Sequence, residues 1–565
     1  MSETNGAGER FAIGISFGNS SSSIARINTE GKAEVIANEE GDRQIPSILS
    51  YIGGEQYHGT QAKAQLIRNP GNTVAYFRDY LGKDFKSIDP TPCHNSAHPI
   101  QTDSTVAFSI RDSESETPNT VTVSEITTRH LLRLKQSATD YLGKEVNAAV
   151  ITVPTDFNDA QREALTAAAK AAGIEVLQLI HEPVAAALAY DARPESVVTD
   201  KLVVVADLGG NRSDVAVIST RGGMYTILAT AHDYELGGST LDKIVMDHFA
   251  KEFIKKHKTD PRENARGLAK LKAEGEATRK ALSLGTNATL SIESLADGID
   301  YGSTINRTRY ELLSNKVFAQ FTGLIEQVIK KADLDVLDID EVVFSGGVSH
   351  TPKIAHIARS IFPEKTKILA PSVETTAINP SELAVRGAAI QASLIQEFDT
   401  EDIEQSIHPM VTATPHLNNA IGVEFSSGDA VKFSPLLNTQ TALPARRVAQ
   451  YNAPKEGGDV LIRVVEGVRE IKVTKPEPKP KEEKKPKAED EDEDDSDFDD
   501  SDDEEDETRE IIWKTQNPIA ELAVKGVKAN GKVELMVHIN ADLGLQITAR
   551  EVGGQSAVRG AVESP

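Results

Sequence analysis

One cysteine, Cys93, is all that 565 residues contain. An internal disulfide is therefore excluded, and a reducing compartment is expected. Long apolar runs are missing too. No stretch approaches the roughly 20 apolar residues that a membrane helix needs, and the polar Met1–Glu9 does not read as a signal peptide. A soluble, cytoplasmic protein without a membrane segment is the expectation. Basic surplus is the third absence. Net charge is −25, and residues 489–507 carry 16 acidic side chains among 19, which leaves −9 for everything else. A body without clustered lysine and arginine is a poor partner for a phosphate backbone, so direct DNA binding is not expected. Helical periodicity is the last absence, and it is confined to residues after 417.

What is present begins with two glycine-bearing hairpins far apart in the chain. Phe11–Ile24 reads FAIGISFGNSSSSI, and Leu202–Val215 reads LVVVADLGGNRSDV. Each runs apolar strand, glycine turn, apolar strand. Glycine lets the backbone turn tightly and bring N–H groups against an anion, so each hairpin can cradle phosphates. Two of them suggest a phosphate chain clamped between two related lobes.

Residues 10–395 alternate strands, helices and glycine punctuation, as α/β domains do. Asn158–Ala172 reads as a helix that Asn158 caps and Gly173 ends. Ser314 is expected to cap another, with Val317, Phe318, Phe321, Leu324, Ile325, Val328 and Ile329 as its apolar stripe. Glu341–Ser345 reads as a buried strand, followed by Gly346-Gly347 and a helix over Pro352–Ile361, and Gly387–Ile395 closes the region as a helix. Residues 396–416 form a polar linker. Residues 417–560 hold short strands at 420–425, 459–465, 469–473, 520–524, 533–539 and 545–549 with turn signals between them, which reads as an all-β sandwich. Phe425, Phe433, Leu436 and Leu437 are read as its core. An insertion at 474–508, first rich in lysine and proline and then acidic, cannot bury apolar surface and is expected to be disordered, as are residues 1–9. It is either a solubilising loop or a tether to a basic partner such as a ribosomal surface.

Further elements fit a nucleotide site. Val153–Asn158 (VPTDFN) follows a strand and opens a helix, and Glu182-Pro183 follows another. Glu276, Arg279, Lys280 and Ser283 share one helix face, suited to ribose hydroxyls and a base edge. The same face could equally be a solvated one with internal ion pairs. Gly346-Gly347 lies between strand and helix, where backbone can approach a base or phosphate.

The stretches GISFGNSSSS, VPTDFNDAQREAL, HEPVAAALAY, ADLGGNRSDVAVIS, ELGGSTLD, FSGGVSHTPKI and INPSELAVRGAAIQA resemble those of the Hsp70 family. The resemblance is continuous over residues 10–395 and resumes weakly at VELMVHINADLGLQITARE. It implies a two-lobed, actin-like α/β nucleotide-binding domain, then an Hsp70-type substrate-binding β-sandwich, here without the helical lid. It implies ATP as ligand, held by Gly18, Asn19, Ser20, Ser21, Gly209, Gly210, Asn211, Arg212, Gly237, Gly238, Glu276, Arg279, Lys280, Ser283, Gly346, Gly347, Val348, His350 and Ser381.

Departures from the family pattern fall on the chemistry. Ser16 stands where the family has a metal-shell aspartate, Arg78 in place of its catalytic lysine, and Asn211 and Arg212 where it has glycine and threonine. Val348, His350 and Ser381 replace base-side residues, whereas Glu182, Asp207 and Asp214 keep the family's acids. Arg212 is expected to project toward the terminal phosphate, with Arg78 and Arg212 standing in for Mg2+. Phosphoryl transfer needs water, metal and developing charge positioned together, so ATP binding without significant hydrolysis is expected, and no catalytic or metal-binding residue is assigned. A lidless, degenerate chain of this kind is similar to the fungal atypical Hsp70s of the ribosome-associated complex. That likeness implies a cytoplasmic, ribosome-associated cochaperone, a stable heterodimer with a J-domain protein resembling zuotin, and stimulation of a separate ribosome-bound Hsp70 acting on nascent polypeptide. An active ATP-driven chaperone and an Hsp110-type nucleotide-exchange factor are the competing readings.

Overall fold

The computed structural model describes residues 10–474 and 508–563, apart from 89–95, 104, 115–116, 195, 198, 400, 404–416, 418, 428–429, 440, 541 and 555. Two compact units divide the chain, residues 1–413 and 414–565.

The first unit contains two sheets built to one plan. In the first, strands run in the order Glu175–His181, Ala148–Val153, Ala12–Phe17, Ser21–Ile27, Ala33–Ile36. In the second, the order is Met224–Asp233, Ser213–Arg221, Lys201–Leu208, Glu341–Ser345, Lys367–Leu369. Each begins with an antiparallel hairpin and continues with strands added in parallel beside its first strand. Parallel addition requires helical crossovers and buries both faces of the strand. Accordingly every residue of Ala148–Val153 (AAVITV) is buried.

The helix Leu383–Ile395 begins four residues earlier than the sequence suggested and packs closely at its glycine. A Cβ on Gly387 would lie 1.8 Å from the Ala185 carbonyl oxygen, on the helix Glu182–Asp191. Asn158 caps the helix Asp159–Ala171 as expected, accepting from Gln161 N–H at 2.9 Å. Ser314 precedes the helix Asn315–Lys331, but its side chain makes no cap bond, because a short helix, Arg307–Leu313, runs directly into it. The seven apolar positions of that stripe are all buried.

The second unit is two four-stranded antiparallel sheets around an apolar core that includes Val423, Leu437, Val464, Val524, Leu535 and Ile547. Strands expected separately at 459–465 and 469–473 are one, Gly458–Thr474, laddered along Thr508–Val527. Ala430–Leu437, Ala445–Asn452 and Ala557–Val562 complete the sheets. Phe425 is exposed rather than core, whereas Leu437 is buried. Phe433 covers the floor left by Gly422 and Gly467 and meets the Trp513 ring at 5.3 Å. The expected disorder at 1–9, most of the linker, and the insertion between Thr474 and Thr508 lie outside the described residues. Among the described residues, no helix is long and apolar enough to cross a membrane.

Candidate functional site: a cleft between two hairpins

The hairpin turns of the two sheets face one another. A Cβ on Gly210 would stand 2.4 Å from Ser20 Oγ, so only glycine permits the approach. Ser20 Oγ donates to Asn211 Oδ1 at 3.0 Å across the gap. Between the turns lies a cavity of about 470 Å³, a volume typical of small-molecule sites. Its lining includes Gly18, Asn19, Ser20, Ser21, Gly209, Gly210, Asn211, Arg212, Glu276, Arg279, Lys280, Ser283, Gly346, Gly347, Val348, His350 and Ser381, together with Ser16, Arg78, Glu182, Asp207 and Asp214. Gly237 and Gly238 stand behind this wall. A Cβ on Gly237 would meet Asn211 at 2.7 Å, and one on Gly238 would meet Arg279 at 3.1 Å.

At the floor both arginines are buried and matched by carboxylates. Arg78 donates to Asp79 at 2.8 Å, to Glu182 at 3.1 Å and to the Phe17 carbonyl at 3.3 Å. Arg212 donates to Asp214 through Nε at 2.8 Å and to Asp156 through Nη2 at 3.0 Å, with its guanidinium 4.6 Å from the Tyr234 ring centroid. Arg212 lines the cavity with its guanidinium bonded to carboxylates of the protein. Its charge is engaged within the protein, as is that of Arg78, and neither stands as a spare cation in place of a metal. The cause is Asp156, Asp79 and Asp214, three acids whose partners become visible only in the fold.

Burial pushes the Glu182 carboxyl up to about 8, with Arg78 pulling the other way and Asp207 and Asp214 adding to the rise. Burial and then Asp214 push Asp207 up to about 7. Burial works against ionisation of Asp156 as well, but Arg212 and Tyr234 hold it below the usual carboxylate range. Asp156, Asp214 and His232 place ligand atoms within 4.8 Å of one another. That cluster does not fit a divalent metal as it stands, because the Arg212 guanidinium already bonds both carboxylates. With Ser16 offering no carboxylate and Glu182 paired to Arg78, the floor is not arranged as a magnesium shell.

At the mouth, Glu276 accepts from Lys63 at 2.8 Å through each oxygen and pairs with Lys280 at 2.6 Å. Burial opposes its charge, but the two lysines bring it down to about 2. The ion-pair reading of this helix face thus holds for Glu276 and Lys280, while all four residues still line the cavity. Arg279 is buried and bonds Asp242 on the helix Gly238–His257. His350 Nε2 lies 3.1 Å from Ser381 Oγ, and Gln44 donates to the Ser381 carbonyl at 2.8 Å.

Sequence reasoning missed Lys63, Asp79, Asp156, His232, Tyr234 and Asp242. Asp156 and Asp242 carried a signal, since they lie inside the VPTDFN and ELGGSTLD stretches.

Residues 12–477 match the family described as Hsp70 protein. The chain belongs to the Hsp70 family. Among its relatives is the ribosome-associated complex subunit SSZ1 of Saccharomyces cerevisiae, 47% identical over 97% of this chain and 99% of the relative. A heat shock protein 70 homolog of Schizosaccharomyces pombe is 45% identical over 97% of this chain and 95% of the relative. The rice heat shock 70 kDa protein BIP3 is 34% identical over 81% of this chain and 66% of the relative. Hsp70 proteins are nucleotide-binding chaperones, and the cavity between the hairpins has the volume of a small-molecule site.

Proposed function

We propose that this Hsp70 protein binds ATP without significant hydrolysis and serves as a cochaperone scaffold in a ribosome-associated complex. In this reading it pairs stably with a J-domain protein resembling zuotin, at the cytoplasmic ribosome, and stimulates a separate Hsp70 that acts on nascent chains. The likeness to SSZ1 supports the assembly. One observation supports the chemistry. The groups that would place metal and attacking water are engaged with one another, Arg78 with Glu182 and Arg212 with Asp156 and Asp214. Phosphoryl transfer relies on positioning and charge stabilisation, and a guanidinium held by a carboxylate offers neither a compact ammonium nor an open metal shell. The glycine turns, Val348, His350 and the Glu276 helix face still line a slot for base, ribose and phosphates. The floor keeps Glu182, Asp207 and Asp214, the acids an active ATPase would use, but Glu182 and Asp214 are engaged by Arg78 and Arg212.

The test is a single-turnover assay with radiolabelled ATP beside equilibrium binding on the full chain. The expected result is saturable binding with no phosphate release above buffer. Release at rates ordinary for an Hsp70, abolished by Asp207→Asn, would remove the proposal.

A further inference from the structure

The two halves of the cleft belong to different sheets, and a ligand is the usual link between such halves. A ligand closes a cleft only by as much as it prefers the closed state over the open one. Here the protein supplies that link itself. Asp156 follows the strand Ala148–Val153 of the first sheet, and both its oxygens are taken by residues of the second. Arg212 donates to Oδ1 at 3.0 Å and the Tyr234 hydroxyl to Oδ2 at 2.7 Å.

Of the two donors, Arg212 is buried, whereas Tyr234 is 56% exposed and is placed by its ring contacts with His232 and Arg212. Arg212 is 6% exposed and is held from its own hairpin by Asp214, which His232 meets at 2.6 Å. The Tyr234 ring stacks with His232 at 6.3 Å. A planar guanidinium with carboxylate partners in a desolvated place is a directional contact. Ser20 with Asn211 and Lys63 with Glu276 extend the same kind of link from floor to mouth.

We infer that Asp156, Tyr234 and Arg212 form a cross-lobe latch that holds the cleft closed in the absence of nucleotide. The inference stands apart from the proposed function, because closure by the latch requires neither ATP binding nor a stalled hydrolysis. A bound nucleotide then has little closure left to induce. The unit presents one shape to its surroundings whatever the nucleotide level.

The test is a distance measurement between spin labels at Glu55→Cys and Asn287→Cys, both exposed and one on either side of the cleft, in the full chain with Cys93→Ser. Residual nucleotide is removed enzymatically, and ATP is then added to saturation. The expected result is one short distance, the same in both conditions. Asp156→Ala with Tyr234→Phe should raise the long-distance population by about tenfold without nucleotide, and ATP should restore the short distance. Tyr234→Phe alone, which keeps the ion pair and the ring, should show a smaller rise of the same sign. A wild-type chain that is open until ATP arrives would overturn the inference. So would variants that stay closed without it. Failure of ATP to bind would strike the proposed function and leave the latch measurement intact.

Discussion

The two glycine hairpins share a topology and brace their turns by opposite means. The first is held mainly by neutral groups, with Arg78 adding one bond to the Phe17 carbonyl at 3.3 Å. Ser47 Oγ donates to the Gly18 carbonyl at 2.7 Å and lies 2.9 Å from Ser22 Oγ, which lies 2.9 Å from His130 Nε2. The second is held by charge, with Arg212 set among Asp214, Asp156 and, at 3.9 Å, Asp79. A neutral brace loses only a member's own hydrogen bonds when that member is removed, two in the case of Ser47. A charged brace leaves its half-buried survivors facing one another, which costs more than the missing contact. The hairpin that gained a charge has thereby become the less replaceable of the two.

Breaking the charged brace should give the largest effect. Arg212→Ala leaves Asp156 and Asp214 without their common partner, and unfolding of the first unit should lose about 3–5 kcal/mol. Ser47→Ala, the matching change in the first hairpin, should lose about 1–2 kcal/mol, the value of neutral hydrogen bonds. Calorimetry of both variants checks the ratio. Adding Asp156→Ala to Arg212→Ala should recover part of the loss, since it removes one of the stranded charges. Equal losses for Arg212→Ala and Ser47→Ala would end the contrast between the hairpins.

The contrast also has a pH signature of intermediate size. Burial lowers His130 from 6.5 to about 3, so the folded state resists a proton that the unfolded chain accepts. The stability this contributes is complete above about pH 6.5 and is lost as pH falls toward about 3. Glu182 and Asp207 shift the other way, to about 8 and about 7 from 4.5 and 3.8. Their contribution is complete below the unfolded values and is lost as pH rises through the folded ones. The first lobe should therefore weaken as pH falls from about 6.5 toward about 3, and the cleft floor as pH rises from about 4 toward about 8, with no further loss above that. The two slopes have opposite signs and overlap between about pH 4 and about 6.5, so melting temperature against pH is read in the variants. His130→Gln should remove the loss toward acid and leave the fall with rising pH, and Glu182→Gln should do the reverse.

How much of this was legible depended on distance along the chain. The hairpins declared themselves because strand, glycine and strand are neighbours in sequence, and Gly346-Gly347 did so for the same reason. The face of Glu276, Arg279, Lys280 and Ser283 was legible because helical spacing fixes it. The cage around Arg212 was not. Asp156 lies 56 residues from Arg212, and no local pattern marks the two as partners. Arg212 without that partner reads as a cation aimed at phosphate; with it, the same residue reads as a link between lobes. The β unit failed in a different way. Ala445–Asn452 alternates half-buried and exposed residues along an edge strand, and such a strand carries a weak signal. Phe425 was assigned to the core on its chemistry alone, while the pairing of Ala420–Ser427 with Ala430–Leu437 leaves it outside.

The smallest expected effect belongs to the mouth of the cleft. Lys63 and Glu276 are joined at 2.8 Å with side chains 35% and 26% exposed, in contrast to the 8% of Arg212 at the floor. Solvent reaches the pair, Lys280 remains to answer Glu276 at 2.6 Å when Lys63 is gone, and salt screens what is left. Lys63→Ala should therefore cost only about 0.2–1 kcal/mol, and the loss should shrink further at about 1 M salt, where charges act over only about 3 Å. The Arg212→Ala loss should change less with salt, because the Arg212 guanidinium is buried whereas the Lys63 ammonium is 35% exposed. Calorimetry of both variants at low and high salt reads the two slopes directly. A mouth pair as costly to break as the floor, and as indifferent to salt, would mean that burial does not separate the two ends of the cleft.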